Sequence, residues 1–378
     1  MTKIEELPPA GKINPAVFDG LIYPRLGAPS KDILAGPMHG VDCGVVRVAP
    51  GRVMAMTADP FFIVPDYGWE RAAWFAFHIL ASDITTTGLR PSHLAVDLNL
   101  PLSMKREELE LMWEAVHREC LKYGVSVVTG HTARYAGCNY PMVGGAVMTA
   151  LGDEDKYVTT RMAKPGDRII ITKGAAIETC GLFAAACPGL IKEKFGPEFL
   201  KEADSFFEKM STVEDALTAA GGDARKAGVT SMHDATECGI WGGLFEIARA
   251  SGTGMRINKE EIILKDAPAR ICGYFGVDPY STISEGTLII TAREEAAPRL
   301  LAALAAKDID ASIAGEVTAP KHGVKVREGG MERTLEHPVT DPFWAAFAEA
   351  MELKAKRGAR RRISGPSSRS WARNAAGA

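Results

Sequence analysis

The sequence predicts an α/β (α+β) protein with two domains, each built from a sheet that helices cover on a face. Three observations support this class. The 378 residues, 46% of them hydrophobic, are enough for two cores of ordinary size. Strand and helix patterns alternate along the chain. A polar break near residues 153–164 separates two sets of elements, so domains are expected over residues 1–155 and 160–345.

The elements of the first half follow from their residue patterns. The stretch GVVRVAPGRVMAMTADP, residues 44–60, predicts two strands around a Pro-Gly turn. Apolar residues at helical spacing predict a helix over 69–88, and strict alternation in HLAVDLNL predicts a strand over 93–100. The remaining predictions are a helix over 105–124, which Gly124 ends, and strands over 125–130 and 140–152.

The second half repeats this plan. The predicted elements are a strand over 168–174, helices over 175–187 and 243–252, a strand over 286–292, a helix over 297–307 and a closing strand over 310–320. No short-period repeat occurs in the sequence, which excludes a solenoid.

The composition argues against several classes of protein. A net charge of −3 argues against a nucleic-acid-binding body, which would carry a strongly basic face. The sequence has no run of about eighteen apolar residues, so no transmembrane helix is predicted. The first twenty residues lack the apolar core of a signal peptide, and a cytoplasmic protein is therefore expected. The seven cysteines show no C-x-x-C spacing, which argues against a zinc ribbon or a disulfide framework.

The last segment, residues 354–378, has a different composition. It contains eight basic residues and no acidic one. This pattern predicts a flexible, solvated tail. The alternative is electrostatic attachment to nucleic acid or to an acidic partner, and that role would belong to the tail alone.

Polar clusters in the first half contain candidate ligands for a nucleotide and a metal ion. Asp42 lies in the glycine-rich turn GPMHGVDCG, Asp59 follows a strand, Asp83 lies in a helix, and VTGHT follows another strand. Glycines let backbone N–H groups approach phosphate, and separated aspartates bind Mg²⁺, so the set is typical of a nucleotide–metal site. Singly, Asp59 could be a turn residue and Asp83 a helix cap. The absence of a P-loop or Rossmann motif disfavours those two enzyme classes.

The order of the motifs resembles a known family. GVDCG, TADP, ASDITTTGLRP, VTGHT, HDATECGIWGGLFEIA, SEGTLIITA and IAGEVT follow one another as in the AIR synthase (PurM-like) superfamily, over residues 10–330. The likeness is greatest to the HypE-type hydrogenase maturation proteins. It implies an N-terminal α/β domain whose sheet pairs with its copy in a homodimer, and a C-terminal α/β domain. ATP and Mg²⁺ would bind in a cleft along the dimeric sheet.

The resemblance also assigns roles to residues. It implies that Asp42, Asp59 and Asp83 are metal ligands. Further cofactor-binding residues would be Lys12, Gly44, Gly130, His131 and Thr132. The residues facing the acceptor, and so catalytic, would be His233, Asp234 and Glu285.

The glycines of ECGIWGG allow two interpretations. They could let substrate or phosphate lie against the start of a helix, where unpaired N–H groups favour anions. Alternatively, Gly242 and Gly243 could permit close packing of helix on sheet. The neighbouring Cys238 could be a reactive thiol or an inert, packed one.

Three departures from the family pattern bear on the acceptor. HypE-type proteins end in a Pro-Arg-Ile-Cys tail, whereas this chain ends ARNAAGA. His131 stands where the family has an acidic residue, and Glu237 and Cys238 replace an arginine and a glycine. The acceptor is therefore expected to differ from the cysteine-terminated tail.

The resulting prediction is an ATP-dependent enzyme that phosphorylates an oxygen or amide-type acceptor in cofactor or metallocentre maturation, with dehydration of the acceptor as an optional second step. A protein partner in that pathway would fit this role. Two alternatives stay open: a small-molecule kinase of the thiamine monophosphate kinase type, and a non-catalytic nucleotide-binding assembly factor.

Overall fold

The computed structural model describes residues 13, 15–338 and 340–364. The predicted ATP-binding residue Lys12 lies outside the described residues. In the first half the elements are α1 (Pro15–Val17), β1 (Ile33–Ala35), β2 (Gly44–Ala49), β3 (Arg52–Phe62), α2 (Trp69–Thr85), β4 (Pro91–Leu100), α3 (Arg106–Tyr123), β5 (Ser126–Arg134) and β6 (Met142–Asp153).

The second half begins after a connection that contains one short helical turn. Its elements are β7 (Arg168–Thr172), α4 (Ile177–Ala186), α5 (Pro188–Phe195), α6 (Pro197–Asp204), α7 (Val213–Ala220), α8 (Ala224–Ala227), β8 (Val229–Asp234), α9 (Gly239–Ser251), β9 (Gly254–Asn258), α10 (Asp266–Phe275), β10 (Leu288–Ala292), α11 (Ala297–Ala305), β11 (Ala311–Thr318), β12 (Val324–Glu328), β13 (Met331–Thr334) and α12 (Pro342–Ser364).

The first sheet has six strands in the order β1-β2-β3-β6-β4-β5. Its pairs are antiparallel except β4 with β5, which the helix α3 connects. One face packs on α2, whose buried side chains Phe77, Leu80 and Ile84 belong to the same core as Val96 and Met148. Helix α3 ends at Gly124 in the left-handed conformation, as predicted.

The opposite face of this sheet is open. Strand β5 lies at its edge, and none of its nine residues is buried. Val127 and Val128 on that strand, and Leu151 on β6, are large apolar side chains exposed to solvent. A long apolar edge strand is a template for pairing with another chain.

The second sheet has seven strands in the order β13-β12-β9-β11-β7-β10-β8. Its central strands β7 and β10 are buried on both faces, which explains their unbroken apolar runs RIIIT and LIITA. Helix α9 covers one face, where Leu244 packs with Ile171 and Ile289. Helices α7, α8 and α11 cover the other face.

The structure confirms the predicted class and the predicted elements, with three corrections. Strand β11 does not close the second sheet, because β12 and β13 follow it. The elements β1, β8, β9, α1, α5, α6, α7, α8 and α10 were not predicted, although β8 carries His233 and Asp234 at its end. Helix α12 continues from Pro342 to Ser364, so residues 354–364 are helical, whereas a flexible tail was expected from 354. Residues 365–378 lie outside the described residues.

No helix in the described part of the chain is long and apolar enough to cross a membrane.

Gly144 tests the pairing of β6 with β4. A Cβ added to Gly144 would lie 1.8 Å from the carbonyl oxygen of Asp97, so Gly144→Ala should force the strands apart. We expect it to lower the free energy of unfolding by more than about 2 kcal/mol. The matched control is Gly273→Ala in α10, where an added Cβ meets open space and should stabilise by about 0.5–1 kcal/mol. Equal effects of both variants in urea unfolding would contradict this account of the sheet.

Candidate active site

A cavity of about 780 Å³ lies between the two halves of the chain. The turn over residues 38–42, strand β3 and helix α2 contribute lining residues from the first half. Helix α4, the loops around 236 and 283–285, and helix α12 contribute from the second. Its volume is that of a small-molecule site.

Carboxylates from three elements converge at one end of this cavity. Asp83 on α2 accepts a hydrogen bond from the Thr57 hydroxyl at 2.7 Å. Burial raises the pKa of Asp83 well above its usual range, and the charges of Asp59, Asp234 and Asp42 raise it further. The structure therefore brings together the three predicted metal ligands and Asp234, which lies at the end of β8.

His233 is buried and bonded to carboxylates at both ring nitrogens. Its Nδ1 lies 2.6 Å from Oδ2 of Asp42, and its Nε2 lies 2.8 Å from Oε2 of Glu246. Burial alone would lower the pKa of His233. The charge of Asp42 and the hydrogen bonds to Asp42 and Glu246 outweigh this effect and raise the pKa well above its usual value. His233 is thus a buried cation that fixes Asp42. It does not line the cavity, whereas the resemblance implied that it faces the acceptor.

The turn that carries Asp42 is held on helix α9. Gly40 has a φ of +79°, and a Cβ at this position would lie 2.6 Å from Cβ of Glu246. On the same turn, Nδ1 of His39 lies 3.7 Å from Oε1 of Glu246. Glu246 thus contacts both the turn and His233. Neither the resemblance nor the local pattern pointed to it, because within the apolar run GLFEIA it reads as a helix residue that faces solvent.

Two glutamates adjoin the aspartates. The pKa of Glu285 is raised by burial, by the charges of Asp234 and Glu178, and by a hydrogen bond with Asp234. Glu178, in the first turn of α4, accepts a hydrogen bond from the backbone N–H of Glu285 at 2.9 Å. Burial raises the pKa of Glu178 to about 8, although part of its side chain faces the cavity. Glu285 lies where the resemblance implied, whereas Glu178 was not predicted.

The cluster is suited to Mg²⁺. The ligand atoms of Asp42, His233 and Asp234 lie within 4.8 Å of one another. Both nitrogens of His233 are engaged by carboxylates, so the available ligands are carboxylate oxygens, which hard divalent cations prefer. The mutual repulsion that raises the pKa of Asp83 is what a bound cation would relieve.

A second cavity, of about 590 Å³, opens on the exposed face of the first sheet. Asp59, Gly130 and His131 line it together with Asp97 of β4. Asp59 also lines the first cavity, so the two cavities meet there. Gly130 permits the close approach of β5 to β4, since an added Cβ would lie 2.3 Å from the carbonyl oxygen of Val96.

Two predicted cofactor-binding residues lie elsewhere. Thr132 lines a separate groove against α3, because neighbouring residues of a strand point to opposite faces and His131 takes the cavity side. Gly44 pairs with Met56 inside the sheet and lines neither cavity. Strand alternation within VTGHT could have separated His131 from Thr132 in advance.

Backbone N–H groups at the start of helix α9 donate hydrogen bonds to other groups of the chain. The backbone N–H of Cys238 donates to Oδ2 of Asp341 at 2.5 Å, and that of Trp241 donates to the carbonyl oxygen of Tyr280 at 3.0 Å. A Cβ on Gly239 would lie 2.4 Å from the carbonyl oxygen of Thr282. The expected phosphate site at this helix start is therefore not present, because a carboxylate of the chain occupies it.

Gly243 and Cys238, on the same segment, are also packed against other parts of the chain. A Cβ on Gly243 would lie 2.8 Å from Cδ1 of Ile289, which favours close helix–sheet packing. The thiol of Cys238 is buried and donates to the carbonyl oxygen of Pro338 at 3.4 Å, as expected of a packed cysteine.

Comparison with known proteins agrees with this architecture. Residues 40–151 match the AIR synthase related protein N-terminal domain, and residues 164–327 match the C-terminal domain. The carbamoyl dehydratase HypE of Azotobacter vinelandii is 28% identical over 284 residues, 73% of this chain and 78% of that protein.

Solved structures share the fold at lower identity. AaThiL complexed with AMPPCP and TMP superposes with a TM-score of 0.64 at 20% identity, over 85% of this chain and 95% of that one. The hydrogenase maturation protein HypE in complex with ATP gives a TM-score of 0.60 at 21% identity, over 86% and 92%.

Glu178 should make stability depend on pH. A raised pKa in the folded state means that the folded protein binds a proton which the unfolded chain releases, so stability falls as pH rises from about 4.5 to about 8. Glu178→Gln keeps an acceptor for the N–H of Glu285 but removes this titration. We expect the free energy of unfolding of the variant, relative to the parent, to rise by about 2 kcal/mol between pH 6 and pH 9 in urea titrations. A difference independent of pH would contradict the burial of this group.

Proposed function

This chain belongs to the AIR synthase related proteins, and from that premise we propose that it is an ATP- and Mg²⁺-dependent phosphoryl-transfer enzyme. Its acceptor is the oxygen of an amide-type group, as in the HypE-like carbamoyl dehydratases, and its role lies in cofactor or metallocentre maturation. Loss of the phosphorylated oxygen would complete a dehydration.

The observation that carries this proposal is the convergence of carboxylates where the two cavities meet. Asp42, Asp83 and Asp234 come from a turn, a helix and a strand, and Asp59 lines both cavities. Among the described residues lining the two cavities, none is a lysine or an arginine. Phosphates could bind beside so many carboxylates only together with divalent cations.

Each cavity then has one occupant. Asp59, Gly130 and His131 of the second cavity would hold the nucleotide, and the first cavity would hold the acceptor. Mg²⁺ held by Asp42, Asp59 and Asp83 would neutralise the developing phosphate charge when bound. The contribution of the chain itself is to align the acceptor with the phosphate.

The residues around the acceptor divide into two roles. Glu285 lines the first cavity and shares a hydrogen bond with Asp234, so Glu285 is placed beside the acceptor and Asp234 orients its side chain. His233 does not touch the cavity, and it acts by fixing Asp42.

A small-molecule kinase is the second candidate, and the shape of the first cavity favours it. Helix α12 closes this cavity with Phe343 and Trp344, which leaves a volume of small-molecule size. Analysis of the products distinguishes a kinase from a dehydrating enzyme, because a kinase yields ADP and a stable phosphate ester without a dehydrated species. A non-catalytic assembly factor would bind ATP without turnover.

The open face of the first sheet bears on how the protein assembles. The exposed β5 edge and the open sheet face support a homodimer in which two such faces meet. A protein partner in a maturation pathway and a cytoplasmic location belong to the same proposal.

Asp83→Asn tests the metal and nucleotide site. The variant keeps an acceptor for the Thr57 hydroxyl but removes one charge from the cluster. We expect Mg²⁺-dependent ATP turnover to fall by about 100-fold or more, while the melting temperature of the metal-free protein stays equal or rises, since repulsion is relieved. The control is Asp155→Asn on an exposed turn, which should change neither quantity. Unchanged turnover in Asp83→Asn would refute the site.

A further inference from the structure

Glu178 lies on the wall of the first cavity, in the first turn of helix α4. Its neighbours in the helix, Ile177 and Thr179, are buried, whereas Glu178 is only half-buried. The uncovered part of its side chain faces the cavity, and Leu182, one helical turn further on, lines the same wall. A carboxyl group in this position can contact a ligand held in the first cavity.

Hydrogen bonds to one loop fix the start of helix α4. Oε2 of Glu178 accepts a hydrogen bond from the backbone N–H of Glu285 at 2.9 Å. The backbone N–H of Ile177 donates to the hydroxyl oxygen of Ser284 at 3.1 Å. The bond from Glu285 engages one of the two carboxyl oxygens of Glu178, so the carboxyl group is oriented and Oε1 is left for a ligand.

A row of carboxyl groups leads from the metal cluster to Glu178. Asp234 adjoins Asp83, and Glu285 shares a hydrogen bond with Asp234. Glu178 is bonded in turn to the backbone of Glu285. Asp234 and Glu285 are each only 1% exposed. Of the three groups in the row beyond Asp83, Glu178 therefore offers the most accessible surface to the cavity.

The surroundings of Glu178 suit a carboxyl group that exchanges a proton near neutral pH. Burial raises the pKa of Glu178 to about 8, the hydrogen bond from Glu285 opposes this effect, and neighbouring carboxylates add to it. Mg²⁺ bound at the cluster would favour the ionised form and lower this pKa. A general base is most effective when its pKa lies near the working pH. The titratable groups packed around it are acidic or phenolic: Tyr67, Asp234, Glu237, Glu285 and Asp341.

We propose that Glu178 is a catalytic residue that takes the proton released when the acceptor oxygen is phosphorylated. This role rests on the proposed function. When the oxygen of an amide-type acceptor bonds to the terminal phosphorus of ATP, the bond from that phosphorus to the bridging oxygen breaks and ADP leaves. The proton lost from the amide nitrogen passes to the Glu178 carboxylate and from there to water.

Dicyclohexylcarbodiimide, an apolar reagent that reacts with protonated carboxyl groups, tests the location of Glu178. The full chain without Mg²⁺ is treated at about pH 6.5 and about pH 9, and modified residues are identified by peptide mass spectrometry. We expect Glu178 to be labelled at the lower pH and at least 5-fold less at the higher one, where it is ionised. The matched control is Glu198, an exposed residue in the first turn of α6, which should stay unlabelled. Absence of label on Glu178, or equal label at both pH values, would overturn the proposal.

Variants of Glu178 test the proton transfer with Mg·ATP, for which water is the acceptor present in every sample. Glu178→Gln keeps an oxygen for the N–H of Glu285 but cannot take a proton, so ATP turnover should fall at least about 100-fold. The rise of turnover with pH in the parent should be lost as well, while the affinity for Mg·ATP stays within about 2-fold. Glu178→Asp should restore at least 5-fold of the lost turnover, and Glu198→Gln should match the parent. Equal turnover in Glu178→Gln and the parent, or loss of Mg·ATP binding in that variant, would contradict the catalytic role.

Asp83→Asn, measured in parallel, separates this proposal from the proposed function. If Asp83→Asn loses turnover while Glu178→Gln matches the parent, the role of Glu178 fails and the phosphoryl-transfer function stands. If the parent neither binds nor hydrolyses Mg·ATP, the phosphoryl-transfer function fails and the role of Glu178 fails with it.

Discussion

A buried histidine held between two carboxylates connects the halves of this protein at its candidate active site. Asp42 belongs to a turn of the first half, whereas His233 and Glu246 belong to a strand and a helix of the second. Burying these charges costs free energy, and removing one partner would leave another charge buried without an opposite charge beside it. The interaction therefore specifies one arrangement of the turn, the strand and the helix. The position of Asp42 relative to the other carboxylates depends on it, and so does the closure of the cavity.

In the carboxylate cluster, by contrast, charges of the same sign lie side by side. Around Asp83 the carboxylates of Asp59, Asp234 and Asp42 lie close together in a buried region, and burial first and their repulsion second raise the pKa of Asp83. A fold that keeps such a cluster forgoes stability in the metal-free state and regains it when a cation binds, by an amount that grows with the logarithm of cation concentration. Conflict between local stability and site chemistry is typical of functional sites.

The fold and part of the site could be predicted, for identifiable reasons. Asp42 lies in a glycine-rich turn and Asp83 interrupts an apolar helix, and the order of these motifs and of the stretch around Asp234 matched a family pattern, so distant residues could be grouped. Other features depend on tertiary structure. Glu246 is one acidic residue on an apolar helix, and its role depends on the turn packed over it. Asp341 lies in a loop, and only the fold shows that it fills the start of α9.

The cavity draws its walls from almost the whole length of the chain, from Ile13 to Phe347 of α12. Asp42 and His233 alone are 191 residues apart. Ribosomes add about 5–20 residues each second, and the domains of a chain fold in order as they emerge. The first sheet can therefore form early, but the active site cannot assemble until helix α12 has left the ribosome. A chain cut before α12 would therefore lack one wall of this cavity.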